Sequence, residues 1–102
     1  MPEEVRDRIA RWIAGDITLS ESPGVAIKLW RERFGINQPA LSKVMKISPS
    51  VISDYEAGRR KSPGAATIKK IVDAFLKVDE LHGGKMFNVF SQVFGTQLPP
   101  DV

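Results

Sequence analysis

The chain is cut into short helices by its own punctuation. Ser22-Pro23 and Ser48-Pro49 each place a hydroxyl cap directly before a proline, and Asn37 stands two residues ahead of Pro39. A capping side chain satisfies a free N–H of a first helical turn, and a proline there loses no hydrogen bond. Glycines stand where such helices would stop, at Gly15, Gly35, Gly58 and Gly83-Gly84. Between these marks the apolar residues recur at three- and four-residue spacing, and no stretch shows the two-residue alternation of a strand. The fold class read from this pattern is all-α.

The spacing predicts a first helix over 2–14 with Val5, Ile9, Trp12 and Ile13 on one face, closed by Gly15. A linker follows whose Ile17 and Leu19 tuck against the core. The second helix starts at Pro23 and buries Ile27, Trp30, Arg31 and Phe34. The third is short, with Leu41, Val44 and Met45 as its apolar positions. The turn Lys46-Ile47-Ser48 leads into a fourth helix over Pro49–Ala57, with Val51, Ile52 and Tyr55 inward. A fifth covers 65–78 on the stripe Ile68, Ile71, Val72, Phe75 and Leu76. A last helix, 85–94, carries Met86, Phe87, Phe90, Val93 and Phe94, and the remaining tail reads as frayed.

Composition narrows the function. The 102 residues include no cysteine and a single histidine, His82, with no clustered carboxylates beside it. Thiolate metal sites, disulfides and a catalytic triad therefore lack materials, and neither a cofactor nor a metal is expected. The start of the chain has no apolar signal segment and no run long enough to span a bilayer, so a cytoplasmic, membrane-free protein is expected. The net charge of +3 is unevenly spread: residues 25–70 hold ten Lys/Arg against three Asp/Glu, whereas 1–24 and 71–102 each sum to −2. A basic centre between acidic flanks suits a polyanion, or simply a solvated lysine-rich surface.

Two short helices joined by about three residues describe a helix-turn-helix. Leu41, Met45, Ile47, Ile52 and Tyr55 would anchor the pair, and Ser42 is small where the two helices approach. The stretch GINQPALSKVMKISPSVISDYEAGRRKSP resembles the Cro/repressor-type (XRE-like) helix-turn-helix in its apolar, cap, charge and glycine positions, and the likeness extends over 25–78. RIARWIAGDITLSESPG and SDYEAGRRKSPG are similar to archaeal transcription regulators, in which this domain often heads a longer protein. SVISDYEAGR also resembles the helix-turn-helix of multiprotein bridging factors, which are coactivators. The resemblance implies a five-helix core with an added N-terminal helix and a C-terminal apolar helix. The expected organisation is an N-terminal helix and linker at 1–21, a DNA-binding domain at 22–80, and a C-terminal segment at 81–102.

The resemblance also implies residue roles. Arg31 and Glu56 fall where the family carries a structural ion pair. Asn37 and Gln38 match positions that meet phosphate; a plain N-cap accounts for Asn37 as well, while Gln38 has little other purpose. Arg59, Arg60 and Lys61 follow the recognition helix and suit phosphate contact, Arg59 and Lys61 best, with Lys43 at the edge. Pro49, Ser50, Ser53 and Asp54 occupy the presented, base-facing side. None is an Arg, Lys, Asn or Gln, so no bidentate reader of guanine or adenine stands on that helix. Direct discrimination should be modest and DNA shape should contribute more. Asp54 could instead be a solvated charge or face a protein. Lys46 stands where the family has glycine, because the turn wants a left-handed backbone.

The expected function is DNA-binding transcription regulation by the helices at 38–45 and 49–57, with duplex DNA as partner. The alternative is a coactivator module that bridges a regulator and the basal transcription machinery. Repressors of this kind often pair on half-sites, so a homodimer is expected, either through the last helix, whose Met86, Phe87, Phe90, Val93 and Phe94 would put one edge in the core and the other in the seam, or through the N-terminal helix with Trp12.

Overall fold

A computed structural model describes residues 3–97, with side chains through Val93. Six helices make up the described residues: α1 (Glu3–Thr18), α2 (Pro23–Arg33), α3 (Gln38–Met45), α4 (Pro49–Ala57), α5 (Ala65–Leu81) and α6 (Lys85–Gln97). The all-α expectation therefore holds. The expected start of the first helix at Pro2, the apolar role of Phe94 and the fraying beyond Gln97 lie outside what is described.

The first helix does not stop at Gly15. It runs to Thr18, and Ile9, Ile13 and Ile17 form a stripe at four-residue spacing, each with no exposed surface. The magnitudes explain why. A glycine inside a helix costs about 1 kcal/mol against alanine, whereas burying one isoleucine side chain contributes about 2 to 3 kcal/mol. Ile17 is thus a helical core residue rather than a tucked linker residue. Leu19, expected beside it, is 86% exposed. α5 likewise continues past Val78 to Leu81, adding Val78 and Asp79 to its buried face.

α5 is the centre of the molecule. Phe75 and Leu76 have no exposed surface, and α1, α3 and α6 all pack against this helix. An aromatic cluster closes the side nearest α2 and α6. Phe34 stacks on Phe75 with ring centres 5.5 Å apart, and Trp30 meets Trp12 edge-on at 5.3 Å and Phe90 at 5.9 Å. The Trp30 indole N–H donates to Asp16 Oδ2 at 2.7 Å, so its one polar atom is satisfied.

α6 folds back on α5 through His82-Gly83-Gly84, with φ of +98° at Gly83 and +73° at Gly84. The buried Asp79 carboxylate accepts from the backbone N–H groups of Met86 (3.0 Å) and Phe87 (2.8 Å). A carboxylate from α5 thus caps the start of α6 from within the core. Phe87 (7% exposed) and Phe90 join that core.

Candidate nucleic-acid interface

The α3–α4 pair is built as its sequence demands. The Asn37 side chain accepts from Ala40 N–H at 2.8 Å and caps α3. Leu41 is fully buried, and Ser42 is buried, its hydroxyl donating to Pro39 O at 2.8 Å. Lys46 ends α3 in the left-handed region, with φ of +57° and ψ of 43°. The turn therefore keeps the glycine-like geometry despite its lysine, at about 1 kcal/mol. Ser48 then caps α4 by accepting from Ser50 N–H. By contrast Ser22, placed at the start of α2 as sequence suggests, makes no side-chain capping bond. Of the three α4 side chains expected inward, Ile52 is buried, while Val51 and Tyr55 are half-buried.

Two features lock α4 onto α2. The Arg31 guanidinium meets the Glu56 carboxylate with both oxygens engaged: Nε to Oε2 at 2.7 Å and Nη2 to Oε1 at 3.0 Å. Arg31 Nη1 donates to Ile36 O at 2.7 Å. The side chains are 11% and 4% exposed. The hydrogen bond to Glu56 raises the arginine above its ordinary pKa, against the opposing effect of burial. The second feature escaped the sequence reading. Gly24 touches the backbone of α4, and a Cβ there would overlap the Tyr55 carbonyl. Beside Ser22-Pro23 a glycine reads as part of a helix start; only the crossing of α2 and α4 shows its packing role.

The expected contact residues separate into distinct situations. Asn37, Lys43, Pro49 and Ser50 are exposed, as are Arg60 and Lys61. Gln38 is not idle in the protein alone: its amide donates to Glu56 Oε1 at 3.0 Å, extending the buried pair to α3. The expectation that it had little purpose beyond phosphate is corrected by that bond, which leaves one amide hydrogen over. The Arg60 guanidinium lies over the Tyr55 ring, 5.5 Å from its centre. Arg59 does not reach away from α4. Gly58, at φ +76°, reverses the chain, Arg59 N–H donates to Asp54 O at 3.0 Å, and the side chain folds back along the helix. Arg59 Nε donates to Asp54 Oδ1 at 2.8 Å and Nη2 to Ser53 Oγ at 3.0 Å. Asp54 Oδ1 is therefore engaged by Arg59 rather than left bare to solvent.

The two expected dimer seams also differ. Phe87 and Phe90 are spent inside the protomer, so an α6 seam would fall to its other side, at Val89 and Val93, which are partly exposed. On α1 and α2, Trp12 is half exposed and lines one cleft together with Leu19, Val25 and Leu29. No described helix is long and apolar enough to cross a membrane.

Comparison with known proteins agrees with this geometry. Residues 27–79, just over half of the chain, match the helix-turn-helix family model. An HTH-type transcriptional regulator of Methanocaldococcus jannaschii, described as uncharacterised, is 46% identical over 87 residues, covering 85% of this chain and 36% of that protein. A regulator of Archaeoglobus fulgidus with the same description is 46% identical over 82 residues, covering 80% of this chain and 35% of its own length. This chain thus spans about a third of the length of the curated relatives it matches. No solved structure matches it. With the α3–α4 geometry in place and the family model matching from α2 through most of α5, the chain belongs to the helix-turn-helix family.

Proposed function

We propose that this chain binds double-stranded DNA and regulates transcription, with α4 laid in the major groove. The observation that carries the reading is the exposed start of α4. Ser48, Pro49 and Ser50 stand at the surface of a helix whose far end is pinned underneath by Arg31 and Glu56. Ser48 Oγ accepts from Ser50 N–H and Ser48 O from Val51 N–H, and Pro49 has no N–H, so that start offers an anion its positive dipole end and two neutral hydroxyls. Exposed Arg60 and Lys61 follow α4, and exposed Asn37 and Lys43 border it on α3. These groups suit the phosphates on either side of the groove. The bridging alternative gains nothing from the helix-turn-helix match or from relatives described as transcriptional regulators.

Pairing of two copies through the α1–α2 face around Trp12 and Leu29 is part of the proposal, because symmetric half-sites need two reading helices.

One titration tests both parts. Affinity for duplex DNA should fall with salt at a log–log slope of about −0.9 for each phosphate neutralised. Lys61→Ala should make that slope shallower by about one such step. A duplex with two half-sites should saturate at two chains. The absence of duplex binding even at low salt would overturn the reading, and saturation at one chain would overturn the pairing.

A further inference from the structure

No residue of α4 can read a purine through two parallel hydrogen bonds, yet the fold brings such a residue to that helix from outside it. Arg59 lies one position beyond the left-handed Gly58, and its guanidinium is bonded to Ser53 and Asp54. Ser53 and Asp54 stand three and four residues after Ser50, which is one helical turn, so they share the presented face. The guanidinium is therefore set on that face rather than on the flanking loop.

Which of its hydrogens are used matters more than where it sits. An arginine has five N–H bonds in a planar fork. Nε–H and one Nη2 hydrogen, which lie along the same edge, are taken by Asp54 at 2.8 Å and Ser53 at 3.0 Å. The outer edge, made by Nη1 and the second hydrogen of Nη2, is used by no described residue, and the side chain remains 59% exposed. Two parallel N–H bonds on that edge match O6 and N7 of guanine in the major groove.

Asp54 suits this arrangement. An exposed pair of this kind adds little to stability, and an unpaired carboxylate facing DNA would repel phosphate. Asp54 holds the residue twice, its backbone oxygen accepting Arg59 N–H and its carboxylate accepting Nε–H. A guanidinium held in one orientation loses less freedom on binding than one that must be ordered by the DNA.

The geometry points to Arg59 as the residue that selects a guanine facing α4, with Asp54 as the positioning residue that orients it. This inference rests on the duplex-binding reading above.

Selection of bound duplexes from a random pool tests it, using the wild-type chain, Arg59→Lys and Asp54→Ala, with melts confirming that all three are folded. The wild-type chain should enrich one guanine strongly in each half-site. Arg59→Lys keeps the charge but loses the planar fork, so binding to the selected sequence should weaken more than binding to unselected DNA. Its preference for that guanine over the other bases should fall roughly ten- to a hundredfold, the range for losing a bidentate contact. Asp54→Ala, which removes the acceptor for Arg59 Nε–H, should lose part of the same preference. A wild-type chain that binds duplex without a guanine position, or an Arg59→Lys variant that keeps the preference, overturns the assignment and leaves duplex binding standing. Full preference retained in Asp54→Ala overturns the positioning role. A wild-type chain that binds no duplex at low salt removes both readings together.

Discussion

The α3–α4 and α5–α6 pairs are joined in the same way and used in opposite ways. Each connection has three residues and turns through left-handed backbone, at Lys46 in one and at Gly83 and Gly84 in the other. The second helix of each pair then begins with free N–H groups. In α6 they are consumed inside the fold, because the buried Asp79 carboxylate accepts from Met86 and Phe87. In α4 Ser48 takes them at the surface, its hydroxyl accepting from Ser50 N–H and its carbonyl from Val51 N–H. One helix start has been given a negative charge by its own protein and serves packing. The other has been left without one and faces outward. The positions of the ion pairs follow the same division: Glu56, the buried carboxylate of α4, lies at the end of that helix, where it binds Arg31 and Gln38.

The contrast breaks most severely at Glu56. Glu56→Ala leaves the Arg31 charge buried with only the Ile36 carbonyl, and should lower stability by about 3 to 5 kcal/mol. A thermal melt within a degree or two of wild type would show that the α3–α4 pair does not depend on it. Asp79→Ala should have a smaller effect, about 1 to 3 kcal/mol, from two buried N–H groups left without an acceptor. Its loss should appear as faster amide exchange in α6, while DNA affinity per folded molecule stays at the wild-type level. Reduced intrinsic affinity would mean that the two helix pairs are coupled. Lys46→Gly should act in the opposite direction and by least, stabilising the chain by about 1 kcal/mol as the left-handed strain is relieved. A neutral or negative change in denaturant midpoint would show that the lysine is not strained in that turn.

Much of the fold could be read in advance because its signals are local. Asn37, Ser48 with Pro49, and Gly58 each act within one turn of their own position, and α3 and α4 begin and end where those residues say. The stripe of α5 was legible for the same reason. Gly15 misled because its local preference for ending a helix was outweighed by Ile17, whose burial depends on the helices packed against α1 being in place. Leu19 misled in the other direction: an apolar residue in a short linker has no local signal to tell it whether a partner will be there.

The sequence by itself determined the helices, the tight turn between α3 and α4, and the basic centre, since caps, glycines and charge balance are properties of neighbouring residues. Tertiary structure alone decided that Gly24 must be bare, that Asp79 closes α6, and that Gln38 joins the Arg31–Glu56 pair. It also decided that Arg59 lies on α4 rather than beside it. Each of these outcomes depends on where a second backbone or side chain sits in space. Helical periodicity carries no information about that until the elements are packed.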